Sequence, residues 1–575
     1  MPDAADTAYH LDARARASGP PAQVRVDPAA GRGSRLSVEA LVHCPAPRAE
    51  AMQVLVSRWA FAEDLNGFAT CDAGRTDGLD TAGYFGAVCD GRHVYFAPQC
   101  NHRGRHGLAL RLDTLGDLGA PASWAAADAE RTGGLETRGY YGALYDGRHV
   151  HYVPRTDGRT HHSRILRFDT RADFREPAGW SAHDAGPPVS YQGGAFDGRF
   201  AYFAPGYHQA TGPSGLVMRY DTSAPFAEAA SYACHDAAST SGLRCVCYDG
   251  AVYDGRHVYF VPLERGPVLR CDTCGDFASP DSWEAHALGA IDGVETGMCV
   301  GAVFDGRYLY LAPYAHSVVV RYDTGAPFDR AGSWRAYDAG TTSGLRCRGY
   351  DGAAFDGRYV YFIPFWEGED ASRGFHARLL RYDRRRDFAD PGAWLAADGS
   401  ALAPPNPGGF NGGAFDGRYL YLAPWRQDAA TTDIHPHGQV LRYDTAGAGA
   451  SFCLKFMDCG HNGGLCGAVP GPTFAVNTAA GVVSARASTV PAAGWHHLVG
   501  TYDGRALRLY LDGALVGEGG EGGARLAPSS LPVQVGGFAG GTSSFDGRIA
   551  AVVVTGEVLS AQQVAARCRA AGPGA

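Results

Sequence analysis

The chain has 575 residues, of which 45% are hydrophobic and 19% are charged, with a formal net charge of −9 and a pI of about 6.1. An acidic chain without a long run of Lys or Arg is not expected to bind nucleic acid by neutralising phosphates, and no apolar stretch approaches the ~20 residues that a membrane-spanning helix needs. Residues 1–6 lack the basic start and apolar core of a secretory signal, which predicts a cytoplasmic protein, or a secreted one only if a leader precedes this sequence.

The first 60 residues contain three strand-like segments, at 24–26, 37–42 and 54–59. A further short piece, Phe-Ala-Thr-Cys-Asp-Ala, lies at 68–73. It precedes a long repetitive region, and its role becomes apparent only from the repeats that follow it.

From Gly86 onward one phrase, Gly-Ala-x-x-Asp-Gly-Arg-x-x-Tyr-x-x-Pro, occurs seven times with small variations. The steps between its Asp residues are 56, 51, 57, 51, 51 and 60 residues. A period at or somewhat above about 40–50 residues, filled with strand-forming residues, is typical of a propeller or a repeat array. The Asp of the phrase falls at Asp90, Asp146, Asp197, Asp254, Asp305, Asp356 and Asp416.

Each repeat divides into four strand-like pieces. In the sixth these are 352–355, 359–363, 379–383 and 394–398. The Asp356-Gly357 pair predicts a type I′ hairpin turn between the first two pieces, because both residues tolerate positive φ. Four antiparallel strands per unit, repeated seven times, predict a seven-bladed β-propeller.

The fourth strand indicates how such a ring closes. An aromatic residue opens it after the first six repeats, whereas the seventh repeat runs into Ala-Gly-Ala-Gly-Ala and lacks this strand. The piece at 68–73 has Phe68 in the corresponding place, so we expect it to complete the seventh blade and to hide an otherwise open edge. The aromatic residues of the six repeats are Trp124, Trp180, Tyr232, Trp283, Trp334 and Trp394.

The C-terminal flank carries Gly-Trp-His-His-Leu-Val-Gly-Thr-Tyr-Asp-Gly at 494–504, a Tyr-Leu-Asp-Gly hairpin at 510–513, and a final helical segment from 559. These residues resemble the laminin-G-like, concanavalin A-like sandwich family. The front of such a domain is missing there, and the N-terminal strands supply it. The resemblance therefore implies a sandwich split between about 9–60 and 451–570.

The predicted fold is all-β, with a seven-bladed β-propeller inserted into a concanavalin A-like (laminin-G-like) β-sandwich. The predicted boundaries are 1–60 and 451–575 for the two parts of the sandwich, and 61–450 for the propeller closed by strand 68–73. The resemblance implies glycan binding on a loop edge, sometimes with calcium, although no calcium-ligand set is matched residue by residue.

The loops after the recurring Pro differ greatly between repeats, and a binding face is best sought where loops vary. Aromatic residues beside charged ones suit a sugar or another small ligand, because rings cover C–H faces and polar groups fix orientation. The alternative is an ordinary exposed loop region of the same composition. The ligand-binding candidates are His102, Arg105, His161, Tyr207, Tyr314, His316, Trp366, Trp425 and Arg426.

The residues just before the recurring Gly are expected to point toward the channel mouth. Asp249 and Asp351 occupy this position two blades apart. Two carboxyl groups there could serve acid–base sugar chemistry, hold a divalent cation as cofactor, or only accept hydrogen bonds from nearby loops. Glu264 and Glu367 in the post-proline loops are further acid–base candidates.

The chain has 15 cysteines, an odd number, so at least one is unpaired. Cys245 and Cys347 occupy one repeat position, and Cys247 and Cys299 lie near it. A thiolate metal site near the channel mouth is one interpretation of these four residues. Small buried side chains are the simpler interpretation and the favoured one.

The leading hypothesis is recognition of a glycan or glycan-like ligand, a lectin-like role for the propeller face, the sandwich, or both. The first alternative is a carbohydrate-active hydrolase, lyase or dehydratase with its site at the channel mouth. The second is a scaffold that holds other proteins on the propeller rim. A carbohydrate or small-molecule ligand is thus the expected partner, with a protein partner as the alternative and neither nucleic acid nor membrane expected.

Overall fold

The computed structural model describes residues 9–11, 23–27, 30, 34–44, 53–370, 373–404, 408–428, 435–458, 467–468, 470–478, 481–487, 491–519, 525–529, 531–538, 545 and 547–572. These ranges confirm an all-β protein. Their two α-helices are Gly399–Leu402 and Ala561–Ala571, and neither has the length and apolarity needed to cross a membrane.

Seven antiparallel sheets, one for each copy of the repeated phrase, fill the central region. We call them repeat sheets 1 to 7 and give their four strands from the innermost outward. Repeat sheet 1 consists of Tyr84–Cys89, His93–Pro98, Leu108–Asp113 and Trp124–Asp128, and repeat sheet 2 of Tyr140–Tyr145, His149–Pro154, Arg164–Asp169 and Trp180–Asp184. Repeat sheet 3 consists of Val189–Phe196, Phe200–His208, Leu216–Asp221 and Tyr232–Asp236. Repeat sheet 4 consists of Tyr248–Tyr253, His257–Pro262, Pro267–Asp272 and Trp283–Ala287. Repeat sheet 5 consists of Cys299–Phe304, Tyr308–Pro313, Val318–Asp323 and Trp334–Asp338. Repeat sheet 6 consists of Tyr350–Phe355, Tyr359–Pro364, Arg378–Asp383 and Trp394–Asp398. Repeat sheet 7 consists of Phe410–Phe415, Tyr419–Pro424, Gln439–Asp444 and Phe68–Asp72.

Short elements decorate these sheets. The minor strands are Cys100–Asn101, Gly104–Arg105, Gly212–Pro213, Ala290–Ile291, Val294–Glu295, Trp366–Asp370, Arg373–Phe375 and Gly467–Ala468. The 3-10 turns are Thr76–Gly78, Pro121–Ser123, Thr132–Gly134, Pro177–Gly179, Ala229–Ser231, Thr240–Gly242, Pro280–Ser282, Ala331–Ser333, Thr342–Gly344 and Pro391–Ala393.

The turn in the repeated phrase differs from the predicted type I′ turn. In repeat sheet 6 only Gly357 has positive φ, at 109°, and Asp356 does not. The Asp356 backbone N–H instead bonds the Tyr359 carbonyl, so Gly357 and Arg358 are the two central residues. A Gly with positive φ at the first central position is the requirement of a type II′ turn. The prediction of type I′ was wrong because the Asp precedes the turn instead of forming its centre.

The side chains of the phrase explain why it recurs. In repeat sheet 6, Asp356 accepts hydrogen bonds from the Arg358 backbone at 2.8 Å and from the Tyr361 hydroxyl at 2.8 Å. The Arg358 guanidinium then pairs with Asp383 of the third strand at 2.9 Å. The turn is thus tied to two neighbouring strands. The equivalent ion pairs are Arg92–Asp113, Arg148–Asp169, Arg199–Asp221, Arg256–Asp272, Arg307–Asp323 and Arg418–Asp444.

The repeat sheets contact one another in a closed order. The first strand of each sheet contacts the first strand of the next, and Phe410–Phe415 of sheet 7 contacts Tyr84–Cys89 of sheet 1. Strand Phe68–Asp72 pairs with Gln439–Asp444, with Phe68 opposite Tyr443. A segment that precedes all the repeats in sequence therefore supplies the outer strand of the last sheet.

Two further sheets of six strands combine both ends of the chain, with a shared apolar core that includes Val38, Leu454 and Phe474. The first has the order Tyr9–Leu11, Val533–Val535, Gln53–Arg58, Phe452–Asp458, Pro470–Thr478 and Gly481–Arg486. The second has the order Gln23–Val26, Arg548–Thr555, Leu36–Cys44, Gly494–Tyr502, Leu507–Leu511 and Ala514–Gly519.

Packing between these two sheets is close at Gly500. A Cβ placed there would lie 2.3 Å from the buried ring of Phe474. We expect Gly500→Ala to destabilise the protein by roughly 1–3 kcal/mol, because a closely packed ring cannot move aside without strain. Thermal unfolding checks this against Gly332→Ala, where a Cβ meets nothing within 4 Å. Equal melting temperatures for the two variants would contradict it.

The two six-stranded sheets lie against the turn side of the repeat sheets. The Ser484 hydroxyl donates to the Gly91 carbonyl at 2.8 Å, and Arg418 donates to the Asn477 side chain at 2.6 Å. Strand Gly467–Ala468 pairs with Tyr140–Tyr145, the first strand of repeat sheet 2. The post-proline loops lie at the opposite ends of these strands, which makes that side the place to look for a site.

Candidate functional site

A β-bulge at the start of each first strand directs one side chain toward the other sheets. In repeat sheet 4, Tyr248 pairs with Pro262 and Ala251 pairs with Phe260. Between these pairs, Asp249 and Gly250 on the first strand lie opposite the single residue Val261 on the second. The second of them, Gly250, has a φ of 89°, which a residue with a Cβ rarely adopts. Such a bulge re-aims the side chain beside it. The residues so placed in sheets 1 to 7 are Phe85, Tyr141, Gln192, Asp249, Val300, Asp351 and Asn411.

Five of these side chains form two neighbouring hydrogen-bonded sets, one around Asp249 and one around Asp351, which the charge of Asp249 couples. We call the five residues the central cluster: Tyr141, Gln192, Asp249, Asp351 and Asn411. The Tyr141 hydroxyl donates to Asp249 Oδ2 at 2.9 Å, and Gln192 Nε2 donates to the same oxygen at 3.0 Å. Asn411 Nδ2 donates to Asp351 Oδ2 at 2.5 Å. The other side-chain oxygens, Oδ1 of Asp249, Asp351 and Asn411, are buried and have no hydrogen-bond partner.

The two carboxyl groups are only 3% and 1% exposed, for Asp249 and Asp351 respectively. Burial raises the pKa of Asp249 to about 7, against the opposing effects of the Tyr141 hydrogen bond and the Arg155 charge. Burial and the nearby Asp249 charge raise the pKa of Asp351 well above its usual range. Two interacting buried carboxyls resist carrying two charges at once, so the pair holds at least one proton at neutral pH.

Arg155, the first residue after the Pro of repeat sheet 2, lies over the central cluster. Its Nη2 donates to Gln192 Oε1 at 3.3 Å. Its guanidinium carbon lies 4.7 Å from the Tyr141 ring centre and 5.3 Å from that of Phe85. These cation–π contacts hold the charge in place.

Aromatic rings complete this layer. The Trp425 ring meets the Phe85 ring edge-on at 4.2 Å between centroids. Tyr314 stacks on Phe365 at 6.0 Å and lies 6.0 Å from Trp366. Burial and the two central carboxyls raise the pKa of Tyr314, which places its hydroxyl near them. The predicted ligand candidates Tyr314, Trp366 and Trp425 are thus gathered around one point.

Two more candidates belong to this region. Arg105 donates a hydrogen bond to Gln99 Oε1, and burial with the neighbouring Arg155 charge lowers the pKa of Arg105 to about 10. Burial likewise lowers the pKa of Arg426, whose guanidinium carbon lies 5.3 Å from the Phe375 ring centre.

Other predicted residues have local partners. Glu367 pairs with Arg378 and with Arg346. Glu264 pairs with Arg244 at 3.4 Å, and the half-exposed His102 pairs with Asp80 at 3.0 Å. The ring of His161 stacks with that of Tyr207 at 6.2 Å, at the edge of the region. Glu367 and His102 are therefore occupied by partners from adjoining segments of the chain.

The predicted ligand candidate His316 instead has both ring nitrogens engaged with the backbone. Its Nε2 bonds the Met298 carbonyl at 2.7 Å, and its Nδ1 accepts from the Val318 N–H at 3.1 Å. A histidine at the same repeat position makes the same pair of contacts in four other sheets, which identifies a structural device of the repeat. These histidines are His106, His162, His376 and His437.

The thiolate metal site, the less favoured interpretation of Cys245, Cys247, Cys299 and Cys347, is not assembled within the described ranges. Cys245 and Cys347 donate weak hydrogen bonds to carbonyls of their own loops, Thr240 and Thr342. Burial raises the pKa of all four candidate thiols, including Cys247 to about 11 and Cys299 to about 12. This burial agrees with small apolar side chains, the favoured interpretation.

The described residues contain a single group of three potential metal ligands close together, Asp146, His149 and His151. His151 takes the place of the Tyr that bonds the turn Asp in the other repeat sheets, and its Nε2 lies 2.8 Å from Asp146 Oδ2. A hydrogen bond within the repeated turn accounts for this arrangement.

Sequence reasoning missed Gln99, Arg155 and Gln192. Gln99 and Arg155 could have been identified from their position, because each directly follows the recurring Pro. Tyr314, Phe365 and Trp425 occupy the same position in other repeats. Aligning that one column across the repeats would have grouped the residues that now surround the central cluster.

Residues 459–565 match the family described as the concanavalin A-like lectin/glucanases superfamily, which supports a laminin-G-like domain with a ligand- or protein-binding role. The search of curated proteins finds no match. A solved structure described as "Crystal structure of Nidogen/Laminin Complex" is similar with a TM-score of 0.31 and 14% identity, over 53% of this chain and 95% of the other. Another, the "computationally designed Ika8 protein", has a TM-score of 0.36 and 9% identity, over 66% of this chain and all of the other.

Proposed function

We propose that the seven repeat sheets are the blades of a β-propeller, spanning about 61–450, that is inserted into a laminin-G-like sandwich formed by 1–60 and 451–575. Support comes from the closed order of contacts among the seven first strands. Further support comes from the pairing of N-terminal and C-terminal strands in both six-stranded sheets. On this proposal the central cluster lies at the mouth of the propeller channel, on the side away from the sandwich.

We propose further that the protein binds a glycan or a similar polyhydroxylated small ligand at this mouth. The observation that carries the proposal is the set of three buried oxygens without partners, on Asp249, Asp351 and Asn411. Native proteins rarely leave such atoms unpaired. Hydroxyl groups of a sugar both donate and accept hydrogen bonds, so they suit the unpaired oxygens and also the proton that the carboxyl pair retains.

The layer above the central cluster supports the same ligand class. Tyr314 and Trp366 are partly exposed and offer ring faces to the C–H faces of a sugar, while Arg155 offers fixed donors beside them. Ligand sites combine mainly apolar walls with a few well-placed polar groups. A sugar is bulkier than water, so its entry requires the side chains above the cluster to move apart.

A saccharide panel on the full chain tests this proposal, with affinity measured by calorimetry. We expect Tyr314→Ala to weaken binding of any saccharide that binds by about tenfold, which corresponds to about 1.4 kcal/mol. Tyr337→Ala is the matched control, because Tyr337 lies in the same repeat sheet on its outermost strand, stacked on Trp394. Binding that is unchanged in Tyr314→Ala, or lost equally in both variants, would contradict a site at the mouth.

A second candidate function is acid–base catalysis on a saccharide. The observation that favours it is the pKa of Asp249, about 7, because a carboxyl with such a pKa can donate and accept protons at neutral pH. An enzyme would release products from a member of the panel, and Asp249→Asn would abolish turnover while leaving binding intact. Binding without products at every pH tested would leave recognition as the function. If no saccharide binds at all, a protein partner becomes the better hypothesis.

A further inference from the structure

The region above the central cluster holds two arginine charges, and Asp249 and Asp351 act on one of them, Arg155, from beyond salt-bridge distance. Among the described residues, neither Arg105 nor Arg155 has a carboxylate within salt-bridge distance, whereas all seven turn arginines do. The partners of Arg105 and Arg155 are the neutral side chains of Gln99 and Gln192. Two partly buried cations without an ion-pair partner are unusual in a chain with a net charge of −9.

The Arg105 side chain lies against the backbone that holds Arg155, since the Arg155 N–H bonds the Gly139 carbonyl. The Arg155 charge contributes to the lowered pKa of Arg105, and the Arg105 side chain packs against Gly139 and Gly158 of the loops that flank Arg155. Holding like charges together in a partly buried place costs free energy. An anion bound between them would remove that cost.

A third donor points to the same ligand chemistry. Gln99 is fully buried, its Oε1 accepts from Arg105, and its Nε2 has no hydrogen-bond partner. An unpaired buried N–H group costs free energy that a bound acceptor recovers. Gln99 and Arg155 occupy the same position after the Pro in adjacent repeat sheets, so their side chains reach the same layer.

We infer that the ligand is an acidic sugar whose carboxylate is held by Arg105, Arg155 and the Gln99 amide. This inference rests on the proposed function. Planar guanidinium groups match the two oxygens of a carboxylate. The aromatic rings beside them, Phe85 and Tyr141, keep the surroundings apolar, where a monoanion is cheaper to desolvate than a dianion. The ring hydroxyls of the same sugar are directed to the oxygens of the central cluster.

The experiment compares three trisaccharides by calorimetry with the full chain: trigalacturonate, its neutral methyl ester, and the same skeleton bearing sulfate instead of carboxylate. We expect trigalacturonate to bind at least tenfold more tightly than the ester. Arg155→Gln and Arg105→Gln are expected to remove most of this preference, while Arg155→Lys, which retains the charge, restores part of it. Arg330→Gln is the control, because Arg330 is a highly exposed side chain on a distant loop of repeat sheet 5, and it should change nothing.

Equal affinities for the acid and the ester would overturn the inference while leaving saccharide recognition standing. Absence of binding to both would also overturn the inference, and the proposed function itself fails only if no saccharide of the panel binds. Tighter binding of the sulfated trisaccharide than of trigalacturonate would overturn the carboxylate assignment. Matching near-ultraviolet circular dichroism of the variants excludes misfolding as the cause of any loss. An undiminished preference in Arg155→Gln that folds correctly would also overturn the inference.

Discussion

Asp249→Asn is expected to stabilise the protein at pH 8 by roughly 2–4 kcal/mol, because a pKa raised by about three units corresponds to about 1.4 kcal/mol per unit. The wild-type carboxyl, with a pKa of about 7 in the folded state against 3.8 for the free group, must ionise while buried at this pH. The amide of Asn fills the same space without a charge, and it can still bond Tyr141 and Gln192.

The sign of the pH dependence follows from the direction of this shift. A carboxyl whose pKa is raised on folding binds more protons in the folded state than in the unfolded state. Its contribution to stability is therefore complete below about pH 4, and it is lost as the pH rises through about 7. The Asn variant and the wild type should therefore differ least below about pH 4, diverge between about pH 4 and 7, and differ by a nearly constant amount from there to pH 8.

Thermal unfolding of both proteins between pH 4.5 and 8 measures this divergence. Asp90→Asn provides a contrasting control, since hydrogen bonds from His93 and from the turn backbone lower the pKa of Asp90 to about 2 despite its burial. That variant should lose stability near neutral pH, where the ionised Asp90 stabilises the wild type. A melting temperature of Asp249→Asn that stays below the wild type at pH 8 would contradict the account of the central cluster.

Cys71→Pro is expected to destabilise the protein by about 3 kcal/mol or more, because proline removes a backbone donor and strains the strand. The Ala73 N–H bonds the Gly438 carbonyl, and the Asp444 N–H bonds the Gly67 carbonyl, both at 2.9 Å. The alternation of an antiparallel pair then directs the Cys71 N–H toward Gln439–Asp444. Loss of this strand would expose the edge of repeat sheet 7 and promote aggregation.

Thr70→Pro serves as the comparison, because the Thr70 N–H points away from the partner strand and proline is tolerated at such edge positions. Thr70→Pro should lower the free energy of unfolding far less than Cys71→Pro does. Its main loss is the hydrogen bond from the Thr70 hydroxyl to the Val440 carbonyl at 3.1 Å. Size-exclusion chromatography and thermal unfolding distinguish the two variants. If both tolerate proline equally, the strand does not hold the seventh sheet together.

Much of the strand pattern follows from the sequence alone. The fourth piece of the sixth repeat was predicted at 394–398, which matches strand Trp394–Asp398, because a Trp and a terminal Asp mark its ends in nearly every repeat. The turn type was not predictable in the same way. It depends on where the hydrogen bond closes, and the sequence Asp-Gly allows two registers that differ by one residue.

The site was only partly predictable, for a physical reason. Asp249 and Asp351 could be named because the bulge position repeats and their side chains depart from the apolar pattern. The engagement of Glu367 by Arg378 could not be foreseen, since the two residues lie on opposite sides of a loop whose path the sequence does not give. The same holds for His316, whose partner is the carbonyl of Met298 from the preceding connection.

The most direct test of the account is a crystal structure of the full chain with trigalacturonate, or with the saccharide of the panel that binds most tightly. The sugar should lie at the mouth, with an acceptor group within hydrogen-bond distance of Arg155 and a ring face against Tyr314. Its hydroxyl groups should lie near the unpaired oxygens of Asp249 and Asp351. A sugar bound only on the sandwich or on the outer rim of the repeat sheets, with the central cluster unchanged, would contradict it.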